Sequence, residues 1–299
     1  MKKENLKTGH LLALFTAFVW GTSFIATKFL LTNLSPLEIL FCRFIIGYVA
    51  LWILHPHTLK LKKRKEELWL FLAGLSGVTL YFLGENIALT MTQATNVGVL
   101  VSVAPFFTGL LASITGVDKI DKSFIGGFIL SIMGIICISY SGSSVLKLNP
   151  LGDALAVLAA VFWAVYTIMT RKVCDKHDYP MIAITRRIFF YGIITMIPCM
   201  FFMDFSISDI TSLQFSNVRN LLYLGLISSA ICYVTWNKSM SILGPVKTST
   251  YIYLIPVITM FFSVILLNER ITVFSIVGTL LIIIGLFLSE RKVLKIRKK

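Results

Sequence analysis

The chain has 299 residues, 57% of them hydrophobic and 14% charged, with a mean hydropathy of +0.84 and a formal net charge of +14. Charge falls mostly in short islands between long apolar runs, which excludes a soluble globular domain and marks an integral membrane protein. The positive balance does not point to nucleic acid, because the basic residues are spread along loops and tails such as KLKKRKEE and RKVLKIRKK, where topogenesis and anionic lipid account for them.

Apolar stretches bounded by charge, Pro or Asn predict an all-α protein with ten transmembrane helices, over residues 10–31, 36–55, 68–90, 94–115, 122–141, 150–171, 181–203, 219–241, 246–267 and 271–289. The first follows a basic segment but is too long for a secretory h-region, so it reads as an uncleaved span. Hairpins at Thr92–Gln93, Gly244–Pro245 and Asn268–Arg270 leave no room for a soluble domain. With the N-terminus inside, the cytoplasmic segments carry 21 Lys and Arg residues and the outer ends carry 4, namely Lys28, Lys147, Arg219 and Arg270. Both termini are therefore expected in the cytoplasm of a multi-pass protein of the cell membrane.

Polar and aromatic residues at membrane depth carry the functional signal. Trp20 lies in the first span. Arg43 lies about two turns into the second and Arg187 about two turns into the seventh, where snorkelling or structural pairing is expected. The third span holds Glu85, a carboxylate well inside an apolar run, with Asn86 beside it and Tyr81 one turn earlier on the same face. A carboxyl isolated in low dielectric tends to keep its proton, which makes Glu85 a candidate for proton coupling, a counter-ion for a substrate amine, or a structural partner of Arg43. Pro105 in the fourth span and Pro256 in the ninth predict kinks that free carbonyls. Trp163 and Tyr166 in the sixth span, Trp236 in the eighth, and Tyr251 and Tyr253 in the ninth are expected to line a cavity or pack in the core. Asn237 in the eighth span serves either cavity hydrogen bonding or interhelical contact, as does Asn86.

A spacing of 151 residues joins Asn86 to Asn237, Pro105 to Pro256, Gly74 to Gly225, Gly127 to Gly278 and Gly134 to Gly285, and it also pairs Asp118-Lys119 with Glu269-Arg270 and Ile120 with Ile271. The chain is thus a tandem repeat, residues 1–148 followed by 149–299. Five spans per half is an odd number, so the second half is expected to enter the membrane inverted, with substrate bound near the midplane between the halves.

Catalysis and cofactors have little support. His10, His55, His57 and His177 fall at span ends or loops, no metal-ligand cluster is evident, and there is no P-loop, G-x-G-x-x-G, H-E-x-x-H or G-x-S-x-G motif. Cys42, Cys137, Cys199 and Cys232 lie in predicted spans and Cys174 in a loop, so no disulfide framework is expected.

The segments AFVWGTSFIATKFL, SPLEILFCRF and LIPVITMFFSVILLNERITVFSIVGTLLIIIGLFL, with weaker echoes in AVFWAVYTIMTRKV and YPMIAITRRIFF, together resemble the EamA branch of the drug/metabolite transporter superfamily. The echo sets Trp20 against Trp163, Lys28 against Arg171 and Arg43 against Arg187. The chain departs from the pattern at Asp118-Lys119, where a Glu is usual, and at Ala164, where Gly usually follows Trp. The resemblance implies a ten-helix permease or exporter of small metabolites, often amino acids or drug-like compounds, working by alternating access. Without a nucleotide site, uphill transport would draw on protons or a counter-solute. A flippase for amphiphilic or lipid-linked substrates and a non-transporting sensor or assembly protein are the alternatives. The candidate substrate residues are Trp20, Tyr81, Glu85, Asn86, Trp163, Tyr166, Trp236, Asn237 and Tyr251.

Overall fold

Ser35-Pro36-Leu37-Glu38 shows how this chain starts a helix. The Ser35 hydroxyl accepts the Glu38 N–H at 3.3 Å, the Glu38 carboxylate accepts the Ser35 N–H at 2.7 Å, and Pro36 occupies the first turn, where its missing N–H costs nothing. The other Glu38 oxygen accepts the Ser206 N–H at 2.7 Å, tying this cap to a loop of the second half.

The protein is seen here as a computed structural model, which describes residues 6–91, 94–118, 120, 122–140, 149–174, 179–203, 205–211, 213–267 and 273–290. Lys119, Lys147, His177, Glu269, Arg270 and Ile271, the hairpins at Thr92–Gln93 and Asn268–Arg270, and most of the basic residues at the two termini lie outside the described residues. The described residues are nearly all helical and contain no strand. The helices are α1 (Leu6–Leu30), α2 (Pro36–Leu54), α3 (Arg64–Met91), α4 (Ala94–Val101), α5 (Ala104–Ile114), α6 (Lys122–Tyr140), α7 (Pro150–Cys174), α8 (Met181–Met196), α9 (Ile207–Thr211), α10 (Phe215–Leu243), α11 (Pro245–Thr250), α12 (Leu254–Leu267) and α13 (Val273–Glu290). A 3₁₀ turn, Pro198–Phe201, extends α8 so that Met181–Phe201 is one apolar helix.

Among the described residues, six helices are long and apolar enough to cross a membrane: α1, α2, α3, α7, α8 with its extension, and α10. The predicted fourth and ninth spans are broken instead of bent. The fourth divides into α4 and α5, and the ninth into α11 and α12 around a 3₁₀ turn at Tyr251–Tyr253. Pro105 and Pro256 stand in the first turns of α5 and α12, so they begin a new helix and do not kink a continuous one. Two further irregularities were absent from the sequence expectation: wide π turns over Leu75–Leu80 in α3 and Tyr223–Ile231 in α10. Cys174 belongs to the end of α7 and not to a loop, and the five cysteines are free.

The two halves interleave. α1 packs on α10 and α12, α2 on α8 and α10, α3 on α7 and α8, and α5 on α7. Apart from this, α6 and α13 form a pair of their own through facing glycines. A Cβ on Gly127 would meet the Gly285 carbonyl, and a Cβ on Gly134 would meet the Gly278 carbonyl at 2.5 Å. The two helices therefore run antiparallel with their backbones almost touching, the small-residue packing that membrane helices favour. Their other faces are apolar and exposed, with Ile125, Ile129, Met133, Leu280, Ile284 and Phe287 pointing outward, as a lipid-facing surface requires.

Basic side chains finish several helix ends. Arg171 Nη1 donates to the Met240 carbonyl at 2.6 Å and the Ser241 carbonyl at 3.2 Å near the end of α10. Arg186 donates to the His55 carbonyl and, at 2.5 Å, to the His57 carbonyl just beyond α2. Both place guanidinium donors on carbonyls at or just past a helix C-terminus, where cations are favoured; the Met240 carbonyl also accepts the Gly244 N–H at 3.0 Å.

Candidate functional site

The centre of the molecule is an aromatic cluster drawn from both halves. Trp20 of α1 stands edge-on to Trp163 of α7 at 5.1 Å between ring centroids, and 5.0 Å from Trp236 of α10. Trp163 also meets Tyr81 of α3 at 4.9 Å and Tyr166 at 4.8 Å. Tyr233 of α10 closes the group, 5.1 Å from Phe189, 5.5 Å from Tyr166 and 5.9 Å from Phe44. Offset and edge-to-face pairs at these separations each contribute about 0.5–1.5 kcal/mol beyond burial, so the cluster is a rigid framework.

A cavity of about 20 Å³ opens beside it, lined by Trp20, Ser23 and Phe24 of α1, Arg43 of α2, Tyr81, Phe82 and Glu85 of α3, Trp163 of α7, and Ile255 of α12. That is room for about one water. Two buried polar atoms of this lining, Glu85 Oε2 and Trp163 Nε1, have no hydrogen-bond partner among the described residues, nor do Trp236 Nε1 and Asn86 Oδ1 on neighbours of lining residues. Each such atom costs about 1–3 kcal/mol, so the Glu85 and Trp163 atoms are candidate polar contacts for a molecule in the cavity.

The two ionisable residues face the cavity without closing on one another. Arg43, 1% exposed, donates from Nε to Ser229 Oγ at 3.0 Å and from Nη2 to Ser228 Oγ at 3.3 Å, and its guanidinium carbon lies 4.3 Å from the Phe82 ring centroid. The expected partnership with Glu85 is not a direct ion pair, because the serines of the α10 π turn hold the guanidinium on their own side. Glu85 lines the same cavity together with Tyr81. Arg187 differs from its expected counterpart. It is partly exposed and paired with Glu67 at 2.7 Å, and the same carboxylate accepts the Tyr191 hydroxyl.

Trp20, Tyr81, Glu85 and Trp163 are brought together on the cavity wall, with Tyr166 and Trp236 directly behind them. The asparagines join helices. Asn237 accepts the Tyr166 hydroxyl at 2.6 Å and donates to Thr185 at 3.0 Å, and Asn86 donates to the Pro36 carbonyl at 3.2 Å. Tyr251 lies apart from the cavity lining, in the 3₁₀ turn, with its hydroxyl 2.6 Å from His10 Nδ1. His10 precedes Trp20 by ten residues on α1, about 15 Å along a helix, which separates Tyr251 from the cluster. Sequence reasoning passed over Phe82 and Tyr233, although the 151-residue spacing pairs them with each other, as it pairs Glu85 with Trp236.

The model of the EamA-like transporter family matches this chain twice, over residues 7–140 and 150–291. The chain belongs to the EamA-like transporter family. A relative from Archaeoglobus fulgidus, described as an uncharacterized transporter, is 30% identical over 96% of this chain and 99% of its own. A protein of Escherichia coli K12 described as a probable amino-acid metabolite efflux pump is 25% identical over 93% of each chain. A solved structure shares the fold at a TM-score of 0.76 and 18% identity, covering 95% of this chain and 96% of its own. This EamA-like protein is accordingly a multi-pass membrane transporter and not an enzyme. Its repeated family match also agrees with the tandem repeat in the sequence.

Proposed function

We propose that the chain is a secondary-active permease that carries a small organic metabolite, such as an amino acid or drug-like compound, by alternating access. In this reading ten helical segments cross the bilayer, residues 1–148 and 149–299 are inverted five-helix units, and both termini are cytoplasmic. The reciprocal contacts Gly127–Gly285 and Gly134–Gly278 support the inversion. A two-fold axis between antiparallel α6 and α13 exchanges the 151-spaced mates and maps one contact onto the other.

The observation that carries the transport reading is the cavity at the junction of the halves, where a guanidinium from α2, a carboxyl from α3 and the unpartnered indole nitrogen of Trp163 converge. Tyr166, Asn237 and Thr185 form a hydrogen-bonded layer behind it, on the cytoplasmic side in this orientation. Access from that side requires this layer to part. Glu85 is the proposed site of proton coupling, since it is a buried carboxyl on the cavity wall. The name of the Escherichia coli relative favours amino-acid metabolites moving outward.

Purified protein in liposomes preloaded with unlabelled amino acids should take up the labelled forms by exchange, and an imposed proton gradient should drive accumulation. Flux no greater than in protein-free liposomes across a broad metabolite panel would overturn the reading. Cysteine labelling checks the topology: residues 60–65 should be protected from an impermeant reagent added outside, and residues 206–211 should react.

A further inference from the structure

A guanidinium has five N–H donors in one plane. In Arg43, Nε and Nη2 are engaged by the hydroxyls of Ser229 and Ser228, which are neutral and so orient the group without neutralising it. Phe82 covers one face. Among the described residues, Nη1 makes no hydrogen bond to protein and no carboxylate oxygen lies within ion-pair distance of Arg43. Glu85 lines the same cavity without bonding to the guanidinium. A charge held at membrane depth without a bonded counter-ion costs several kcal/mol, and two opposite charges kept apart gain little of the attraction that would repay their desolvation.

We infer that Arg43 receives the carboxylate of the transported solute and thereby sets the selectivity of the cavity. This rests on the reading of the cavity as the transport site. The planar fork matches a carboxylate in a way that a lysine ammonium does not. The serines that aim it belong to the π turn of α10, so a first-half side chain is positioned by the second half. The residue is thus a specificity determinant, and the preference it imposes is for carboxylates over their amides and over amines of the same shape.

The test uses the full chain in nanodiscs, with thermal stability and tryptophan fluorescence read during titration. The probes are leucine, leucinamide, isopentylamine and 4-methylpentanoate, followed by the proteinogenic amino acids and short monocarboxylates. Carboxylates should stabilise the protein, and the amide and amine should not. Arg43→Gln should weaken the carboxylate response about 30-fold or more, the loss expected when one partner of a buried charge pair is removed. Arg43→Lys should retain part of it, and Ser229→Ala, which leaves the charge in place but loosens its aim, should weaken it less than Arg43→Gln does. Equal responses to leucine and leucinamide, or unchanged carboxylate affinity in Arg43→Gln, would overturn the inference. If Arg43→Gln does not fold, the wild-type panel and Ser229→Ala decide it. A protein that exchanges only solutes without a carboxylate sinks this inference and leaves the transporter reading standing, whereas a protein that exchanges nothing sinks both.

Discussion

The Gly77 and Ser228 carbonyls, 151 residues apart, each accept a side-chain hydrogen bond from an aromatic residue of the opposite half: Tyr233 to Gly77 at 2.7 Å, and Trp20 to Ser228 at 2.9 Å. Both carbonyls lie in π turns, where the widened backbone loosens the usual helical bonding and leaves acceptors for other groups. The turns lie just ahead of residues that build the site, Tyr81, Phe82 and Glu85 of α3 on the cavity wall and Tyr233 and Trp236 of α10 in the aromatic cluster. The repeat therefore conserves a backbone irregularity along with its side chains.

Gly77 also takes its place through size. A Cβ there would overlap Tyr166 at its Cβ and Cγ atoms, so Gly77→Ala should destabilise the protein by about 1–3 kcal/mol through overpacking. A melting temperature equal to that of wild type would show that α3 and α7 do not approach so closely.

The glycine contact of α6 and α13 should be equally sensitive. Gly134→Ile drives a branched side chain into the Gly278 carbonyl and Ile282, and it should lower both folded yield and melting temperature. Because this pair stands apart from the cavity, exchange per folded molecule should change little. A variant that melts normally but transports poorly would contradict that separation.

The Glu67–Arg187 pair is about one-third exposed on both sides, so screening limits its value. A double-mutant cycle with Glu67→Gln and Arg187→Gln should give a coupling energy below about 1 kcal/mol. Larger coupling would mean that the pair is shielded from water more than its exposure indicates.

Glu85→Gln imitates the protonated carboxyl. It should leave folding and solute exchange intact while abolishing accumulation driven by a proton gradient, as measured side by side in the same liposomes. Wild-type pH dependence in this variant would remove Glu85 from coupling, and a loss of folded protein would indicate a structural role instead.

Membrane class, tandem duplication and most helix positions were legible in the sequence because bilayer thickness imposes a run length and duplication leaves matching residues at a constant spacing. Trp20, Tyr81, Glu85 and Trp163 were also recoverable, since polar and aromatic groups at depth are costly enough to stand out. Local pattern was silent about the π turns, because apolar composition is the same whether a turn holds one residue more or fewer. It also misplaced the effect of Pro105 and Pro256, whose missing N–H ends up in a first helical turn where no bond is lost.

Which residues share the cavity was settled by tertiary packing alone. Tyr251 and Tyr166 look alike as aromatic residues in apolar spans, yet one is turned to His10 and the other to Asn237. Arg43 and Arg187 look like repeat mates, yet one is held by Ser228 and Ser229 beside the cavity and the other by Glu67 in the first turn of α3. Composition determined that charges and rings would be buried in a membrane. The direction each one faces depends on how helices from opposite halves interleave, and that depends on contacts between residues far apart in the chain.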